Sequence, residues 1–200
     1  MNISIILGHP SSGSFNHAIA DAARDFFAGR GDRVFYHDLY AERFDPVLPA
    51  GEIPRDGRVD AAIGAYCDEL ALSDGIVIVH PNWWGQPPAI LKGWVDRVVR
   101  PGVAYAFEEA DGGEGVPRGL LRARFAAVFN TSNTPEARER DVFGDPLELL
   151  WKNCIFDLCG VMRFYRTMYR VVCTSTPVER AAWLDEVRSV LGGMLGGEAR

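Results

Sequence analysis

The chain lacks the features that mark most specialised classes. No apolar run approaches the roughly eighteen residues of a membrane span, and no basic stretch precedes an apolar one at the start, so neither insertion nor export is expected. Basic clusters are missing too. The 21 Lys and Arg are scattered among 27 Asp and Glu, and a net charge of −6 argues against nucleic acid or an anionic membrane as partner. Cysteine is sparse: Cys67, Cys154, Cys159 and Cys173 have no C-x-x-C spacing and read as reduced, mostly buried thiols of a cytoplasmic protein. Core packing explains Cys154 and Cys159 better than a metal or redox pair does. His9, His17, His37 and His80 show no H-x-x-x-H spacing, so no metal site is expected. There is no G-K-[ST] of a nucleotide P-loop, only Gly8 and Gly13 of a G-x-G-x-x-G fingerprint, and no G-x-S-x-G nucleophile elbow.

What is present is an alternation of short apolar strands with amphipathic helices. Two hundred residues, 48% of them apolar, suffice for one core, and with no linker or repeat the expectation is a single domain over 1–200, frayed after about 192. Strands are expected at 3–7, 34–37, 76–79 and 125–130 and within 163–173. Helices are expected at 14–28, 59–72, 89–99, 146–158 and 179–191. The loop with Gly102, Gly112, Gly113, Gly115 and Pro117 has too much glycine for a regular element, and Gly112 to Gly119 reads as a mobile loop. Five strand–helix alternations imply an α/β fold, a doubly wound five-stranded parallel sheet with helices on both faces, in the flavodoxin-like order 2-1-3-4-5. A receiver domain of the same topology needs acidic residues ending strands 1 and 3. Those ends are Gly8-His9-Pro10 and His80-Pro81, which excludes phosphoryl acceptance.

Two loops then draw the argument. After the unbroken apolar run Ile76 to Val79 comes His80-Pro81-Asn82-Trp83-Trp84-Gly85-Gln86-Pro87-Pro88, an aromatic loop stiffened by prolines at the carboxyl edge of the sheet, where open parallel sheets bind ligands. Two tryptophans there make a platform for something flat. The first loop, Gly8 to Ser14, leads into a helix N-terminus, where amides and the helix dipole favour a phosphate, and Ser11, Ser12 and Ser14 add hydroxyls. Taken alone it is also an ordinary N-cap serine after a turn. Beside the tryptophan loop, a lysine-free phosphate site suits a permanently bound cofactor such as a flavin, with His9 a neutral donor to its diphosphate. Lys92, Asp96 and Arg97 lie on the following helix and read as surface pairing or dimer contacts.

At these residues the sequence resembles the flavin-dependent NAD(P)H:quinone oxidoreductases of flavodoxin-like fold. The resemblance is carried by Gly8-His9-Pro10 with Ser14-Phe15-Asn16, by Asp38-Leu39-Tyr40 through Phe44-Asp45-Pro46, and above all by Pro81-x-x-Trp84-x-x-x-Pro88-Ala89-Ile90-Leu91-Lys92-Gly93-Trp94-Val95-Asp96-Arg97-Val98, then Ala104-Tyr105. It spans nearly the whole chain and thins after Asn130.

The resemblance implies that His9, Ser14, Phe15 and Asn16 hold the flavin phosphates and ribityl chain, and that Pro81, Asn82, Trp83 and Trp84 lie along the isoalloxazine. Thr131, Ser132, Asn133 and Thr134 stand on its other side, where relatives carry Thr-Thr-Gly-Gly. It implies FAD, with FMN the alternative, NAD(P)H as hydride donor, a quinone or similar acceptor, ping-pong order and a homodimer with the site between subunits. No side chain is assigned to the hydride step, which belongs to the flavin. Relatives offer a tyrosine and a histidine in the loop after strand 4. This chain has neither between Thr131 and Gly144, and Phe143 takes the histidine's place, so Phe143 and Asn133 are the positions expected to modulate the reaction. Some relatives are regulatory partners of a potassium-efflux system, and a non-catalytic electron carrier is the other alternative. The modest charge and the tryptophan loop favour the enzyme.

Overall fold

The computed structural model describes residues 1–54, 57–107 and 115–196. Five parallel strands form the sheet: β1 (Asn2–Leu7), β2 (Arg33–Asp38), β3 (Gly75–Pro81), β4 (Phe125–Thr131) and β5 (Phe164–Tyr169), in the order β2-β1-β3-β4-β5. This is the expected doubly wound arrangement. The strands alternate with α1 (Phe15–Gly29), α2 (Ala61–Leu72), α3 (Ala89–Val98), a helical stretch after β4 that includes α4 (Pro146–Glu148), and α5 (Pro177–Leu195).

The side-chain period of two along each strand divides the core in two. Ile3, Ile5, Leu7, Val77, Val79, Phe125, Ala127 and Phe129 face α1 and α5, while Ile6, Ile76, Ile78, Ala126 and Val128 face α2, α3 and the helical stretch. All seven residues of β3 and all seven of β4 are buried, which is why both read as continuous apolar runs. Register brings the carboxyl ends together: Leu7 pairs with Val79 and Asp38, and Pro81 pairs with Thr131.

Four expectations need correction. The stretch after β4 is helical only as a short α-turn, Pro146–Glu148, that widens into a π-helix, Leu149–Asp157, and a second π-helix covers Arg138–Val142. Part of the glycine-rich segment is ordered: Tyr105–Ala106 pairs antiparallel with Arg118–Gly119. Gly119 is required there, because a Cβ would sit 2.3 Å from the backbone of Cys159 and Gly160. Gly112 and Gly113 lie outside the described residues. The C-terminal helix runs through Gly192 and Gly193 to Leu195, beyond the expected fraying point, and Gly197 falls outside the described residues. Finally, the cysteines divide evenly. All four are free, Cys67 and Cys159 buried with thiols pushed up to about 11 by desolvation, Cys154 and Cys173 exposed.

Arg97 is a further departure, at the level of one side chain. It is buried rather than at the surface, with Nη2 donating to Glu52 Oε1 at 2.6 Å, Nε to Glu52 Oε2 at 3.1 Å and Nη1 to the Asp45 carbonyl at 2.8 Å. Its task is to pin the irregular stretch between β2 and α2 onto α3. Lys92 and Asp96 do form the expected i, i+4 surface pair, at 2.5 Å.

Candidate functional site

Three loops meet at the carboxyl edge of the sheet. In the first, Ser14 caps α1, its Oγ accepting from the His17 amide at 3.4 Å and lying 2.8 Å from His17 Nδ1, while His17 Nε2 reaches Asp38 Oδ2 at 3.1 Å. His17 thus ties the cap to the end of β2. The first turn of α1 carries no acidic residue, so its partial positive charge faces the loop uncompensated. His9 Nδ1 lies 3.1 Å from the Ser11 amide and 3.3 Å from the Ser11 carbonyl; in the tautomer that accepts from the amide, Nε2–H is a free donor. Burial lowers the His9 pKa from its ordinary value and keeps that donor neutral. Asn16 is buried and bridges to the third loop, its Nδ2 donating to Thr131 Oγ1 at 2.9 Å.

The second loop is a tight reversal. Trp83 and Gln86 exchange amide–carbonyl bonds of 3.1 and 3.0 Å across Trp84 (φ 58°) and Gly85 (φ 72°). Positive φ at both central residues is the type I′ turn, which bulky side chains disfavour. Trp84 accepts that conformation and in return stands fully exposed, at 101%. The turn is anchored by Asn82, whose amide donates to the Thr131 carbonyl at 2.7 Å and whose Oδ1 accepts from Gly85 N at 2.9 Å.

Behind this loop a buried network fixes Pro81. His80 is wholly inaccessible; its Nδ1 donates to the Pro81 carbonyl at 2.8 Å, and its Nε2 accepts from Trp151 Nε1 and from Asn130 Nδ2, both at 2.9 Å. Two donors on one nitrogen leave no room for a proton, and burial, aided by the Arg166 charge, lowers the His80 pKa to about 4. Arg166 continues the chain, donating to Asn130 Oδ1 at 3.0 Å and to Glu148 Oε2 at 2.8 Å, and pairing with Asp145. The third loop, 131–134, is held from both sides: the Ser132 amide donates to the Tyr169 carbonyl at 2.9 Å, and Asn133 Oδ1 accepts from the Cys173 amide at 2.9 Å.

Together these loops wall a groove of about 380 Å³, lined by His9, Ser14, Phe15, Asn16, Pro81, Asn82, Trp83, Thr131, Ser132, Asn133 and Thr134, with Val172, Cys173 and Arg180. Eleven of the twelve residues expected along a flavin therefore share one groove. Trp84 is the exception. It lines an adjoining cavity of about 470 Å³ with Asn82, Gly85, Thr134, Glu139, Phe143 and Pro146. Asn82 and Thr134 line both spaces, so the two are neighbours that share part of a wall.

The comparisons with known proteins bear on this geometry. A family model described as flavodoxin-like fold matches residues 1–189. The chain belongs to this family. An uncharacterized NAD(P)H oxidoreductase of Haemophilus influenzae is 37% identical over 166 residues, covering 80% of this chain and 79% of that protein. The NAD(P)H dehydrogenase [quinone] 1 of Rattus norvegicus is 33% identical over 122 residues, but the match spans 52% of this chain and only 44% of the rat protein. Among solved structures, Smu.1420 of Streptococcus mutans UA159 superposes with a TM-score of 0.82 at 31% identity, covering 95% of this chain and 98% of that one. Flavodoxin-like relatives with NAD(P)H oxidoreductase names thus surround the chain.

Sequence reading leaves out several residues of the site, among them Arg180, His17 and Glu139. Arg180 comes from α5, with Nε donating to Ser175 Oγ at 2.8 Å and its guanidinium 5.9 Å from the Phe15 ring centroid. His17 acts through Ser14. Glu139 sits in a π-helix whose composition gives no hint of an inward carboxyl group.

Proposed function

We propose that this flavodoxin-like protein is a flavin-dependent NAD(P)H oxidoreductase that passes reducing equivalents to a quinone or similar flat acceptor. The observation that carries the reading is the adjacency of two spaces that share Asn82 and Thr134. One is a groove rich in hydroxyl, amide and imidazole donors at an uncompensated helix N-terminus. The other is an apolar cavity between Trp84, Phe143 and Pro146. The donor set fits a flavin. Ser14, Asn16 and the His9 ring suit its phosphates, the 131–134 turn and Asn82 its polar edge, and Phe15 with Arg180, a cationic and aromatic pair in the groove lining, supports FAD over FMN.

When bound, a flavin supplies hydride acceptance from a nicotinamide and hydride donation to the acceptor, in ping-pong order because one place serves both. The chain supplies position. The Asn16–Thr131 and Asn82–Thr131 bonds hold the two walls at fixed separation, and the His80 network prevents the Pro81 carbonyl from turning into the groove. Trp84 and Phe143, both exposed, screen the acceptor cavity from water only from the side of this chain. That supports a homodimer with the site at the subunit boundary.

The test is an initial-rate assay of flavin-loaded protein with NADH and NADPH against a simple quinone, alongside mass analysis of the flavin extracted from purified protein. Parallel double-reciprocal lines and extracted FAD are expected. A flavin-loaded sample that turns over no quinone removes the enzymatic reading, leaving a carrier or regulatory protein.

A further inference from the structure

The cavity beside the groove contains a polar group that the fold leaves unanswered. Glu139 is 1% exposed, yet it forms part of the cavity wall. Its Oε1 accepts from Asn82 Nδ2 at 2.8 Å, while Oε2 is buried and has no hydrogen-bond partner among the described residues. Asn82 cannot turn to serve it, because Asn82 Oδ1 is committed to the Gly85 amide at 2.9 Å. The backbone of Glu139 is fixed as well: its amide donates to the Pro135 carbonyl at 3.1 Å and its carbonyl accepts from the Asp145 amide at 3.0 Å. Local π-helical winding is often found where a side chain is aimed at a functional site. A buried oxygen without a donor costs free energy that a ligand can recover by supplying the donor.

We propose that Glu139 is a specificity-determining residue of the acceptor cavity: it favours flat quinones that carry a ring N–H or O–H donor over alkyl-substituted quinones of the same shape, with the donor bonded to Oε2. The inference deepens the reading of the chain as a quinone-type oxidoreductase and rests on it. Trp84, Phe143 and Pro146 supply apolar surface that accepts either class of ring. Discrimination is therefore assigned to the single buried acceptor among them.

The test uses a near-isosteric pair, 2-amino-1,4-naphthoquinone and 2-methyl-1,4-naphthoquinone, titrated into the oxidised, flavin-loaded protein without nicotinamide. Binding is followed by quenching of tryptophan fluorescence. The amino compound should bind at least about tenfold more tightly to the unaltered protein, as expected for one buried hydrogen bond to an otherwise unpaired acceptor. Glu139→Gln keeps the oxygen facing Asn82 and replaces Oε2 by a donor, so the preference should fall to about twofold or less; Glu139→Leu should do the same. Equal affinities, or tighter binding of the methyl compound by the unaltered protein, overturn the proposal, and that measurement needs no variant to fold. A preference that survives both substitutions overturns it too. Turnover separates the two readings. If both quinones are reduced but bind equally, the specificity role fails and the oxidoreductase stands; if neither is reduced yet a Glu139-dependent preference persists, the reverse holds.

Discussion

His80 and His37 carry the same imidazole under opposite constraints. For His80, burial and two donors on Nε2 hold the pKa near 4. For His37, burial alone would lower the pKa, but Glu42 at 3.2 Å and Glu69 at 2.6 Å outweigh it and hold it above its ordinary value. Nitrogen chemical shifts should therefore show His80 as the Nδ1–H tautomer, unchanged from pH 8 to 5.5, while His37 titrates above 6.5. The linkage has opposite signs. The depressed His80 pKa makes the unfolded chain bind the extra proton, so stability present above pH 6.5 is lost as pH falls towards 4, by up to about 3 kcal/mol. The raised His37 pKa contributes stability that is full below 6.5 and lost as pH rises through its folded value. A His80→Phe variant, which cannot take up the proton, should lose the first dependence and keep the second in urea unfolding. Trp84 offers a separate test at this scale. Asn tolerates the positive φ that Trp84 holds against its preference, so Trp84→Asn should leave unfolding stability unchanged or raise it by about 1 kcal/mol. Acceptor affinity should drop, because the cavity loses its largest apolar wall. A stability loss above about 1 kcal/mol would mean that Trp84 serves the fold.

At the scale of elements, the segment between β2 and α2 is stitched to α3 by close contact and by charge. Gly93 lets Pro46 lie against α3, since a Cβ there would come within 2.3 Å of Pro46 atoms, backbone included. Arg97, one turn on, meets Glu52 in the interior. Removing Arg97 leaves the buried Glu52 carboxylate only Arg100, 3.9 Å away, and Arg97→Ala should cost about 3 kcal/mol in urea unfolding. Glu52→Gln, which keeps most of the hydrogen bonding, should cost less. A loss below about 1 kcal/mol for Arg97→Ala would show that the segment detaches without consequence for the rest. Much of this level was legible in the sequence and part was not. Strands β3 and β4 announce themselves because burial on both faces demands unbroken apolar runs. Arg97 does not, since the helical spacing of Lys92, Asp96 and Arg97 fits surface pairing equally well, and its partner Glu52 lies in an irregular stretch. The π-helices were equally hidden: an apolar face at spacings of three and four looks the same until the i to i+5 bonds are drawn.

For the whole molecule, topology does what no single motif does. It brings 9–16, 81–84 and 131–134 to one edge; the first two loops stand out from the strands they follow, and the third is named only through the family resemblance. Arg180 and Glu139 could not be named, because α5 and the second π-helix reach the site only through tertiary packing. The same view shows what one chain leaves open. Trp84 and Phe143 are large apolar side chains exposed in the cavity, and Trp83, Val142 and Leu149, each within three residues of a lining residue in the chain, are exposed as well; exposed apolar surface of this extent on a folded domain signals a protein contact. A homodimer packed over the cavity would cover them and complete its wall. Sedimentation equilibrium at micromolar concentration should then give twice the chain mass. Leu149→Glu should shift the species towards monomer and raise the KM for quinone more than it lowers flavin retention, because the proposed flavin groove is lined by this chain alone whereas the dimer would complete the cavity wall. A monomer with full quinone turnover would locate the missing wall within this chain and leave the exposed patch without a catalytic purpose.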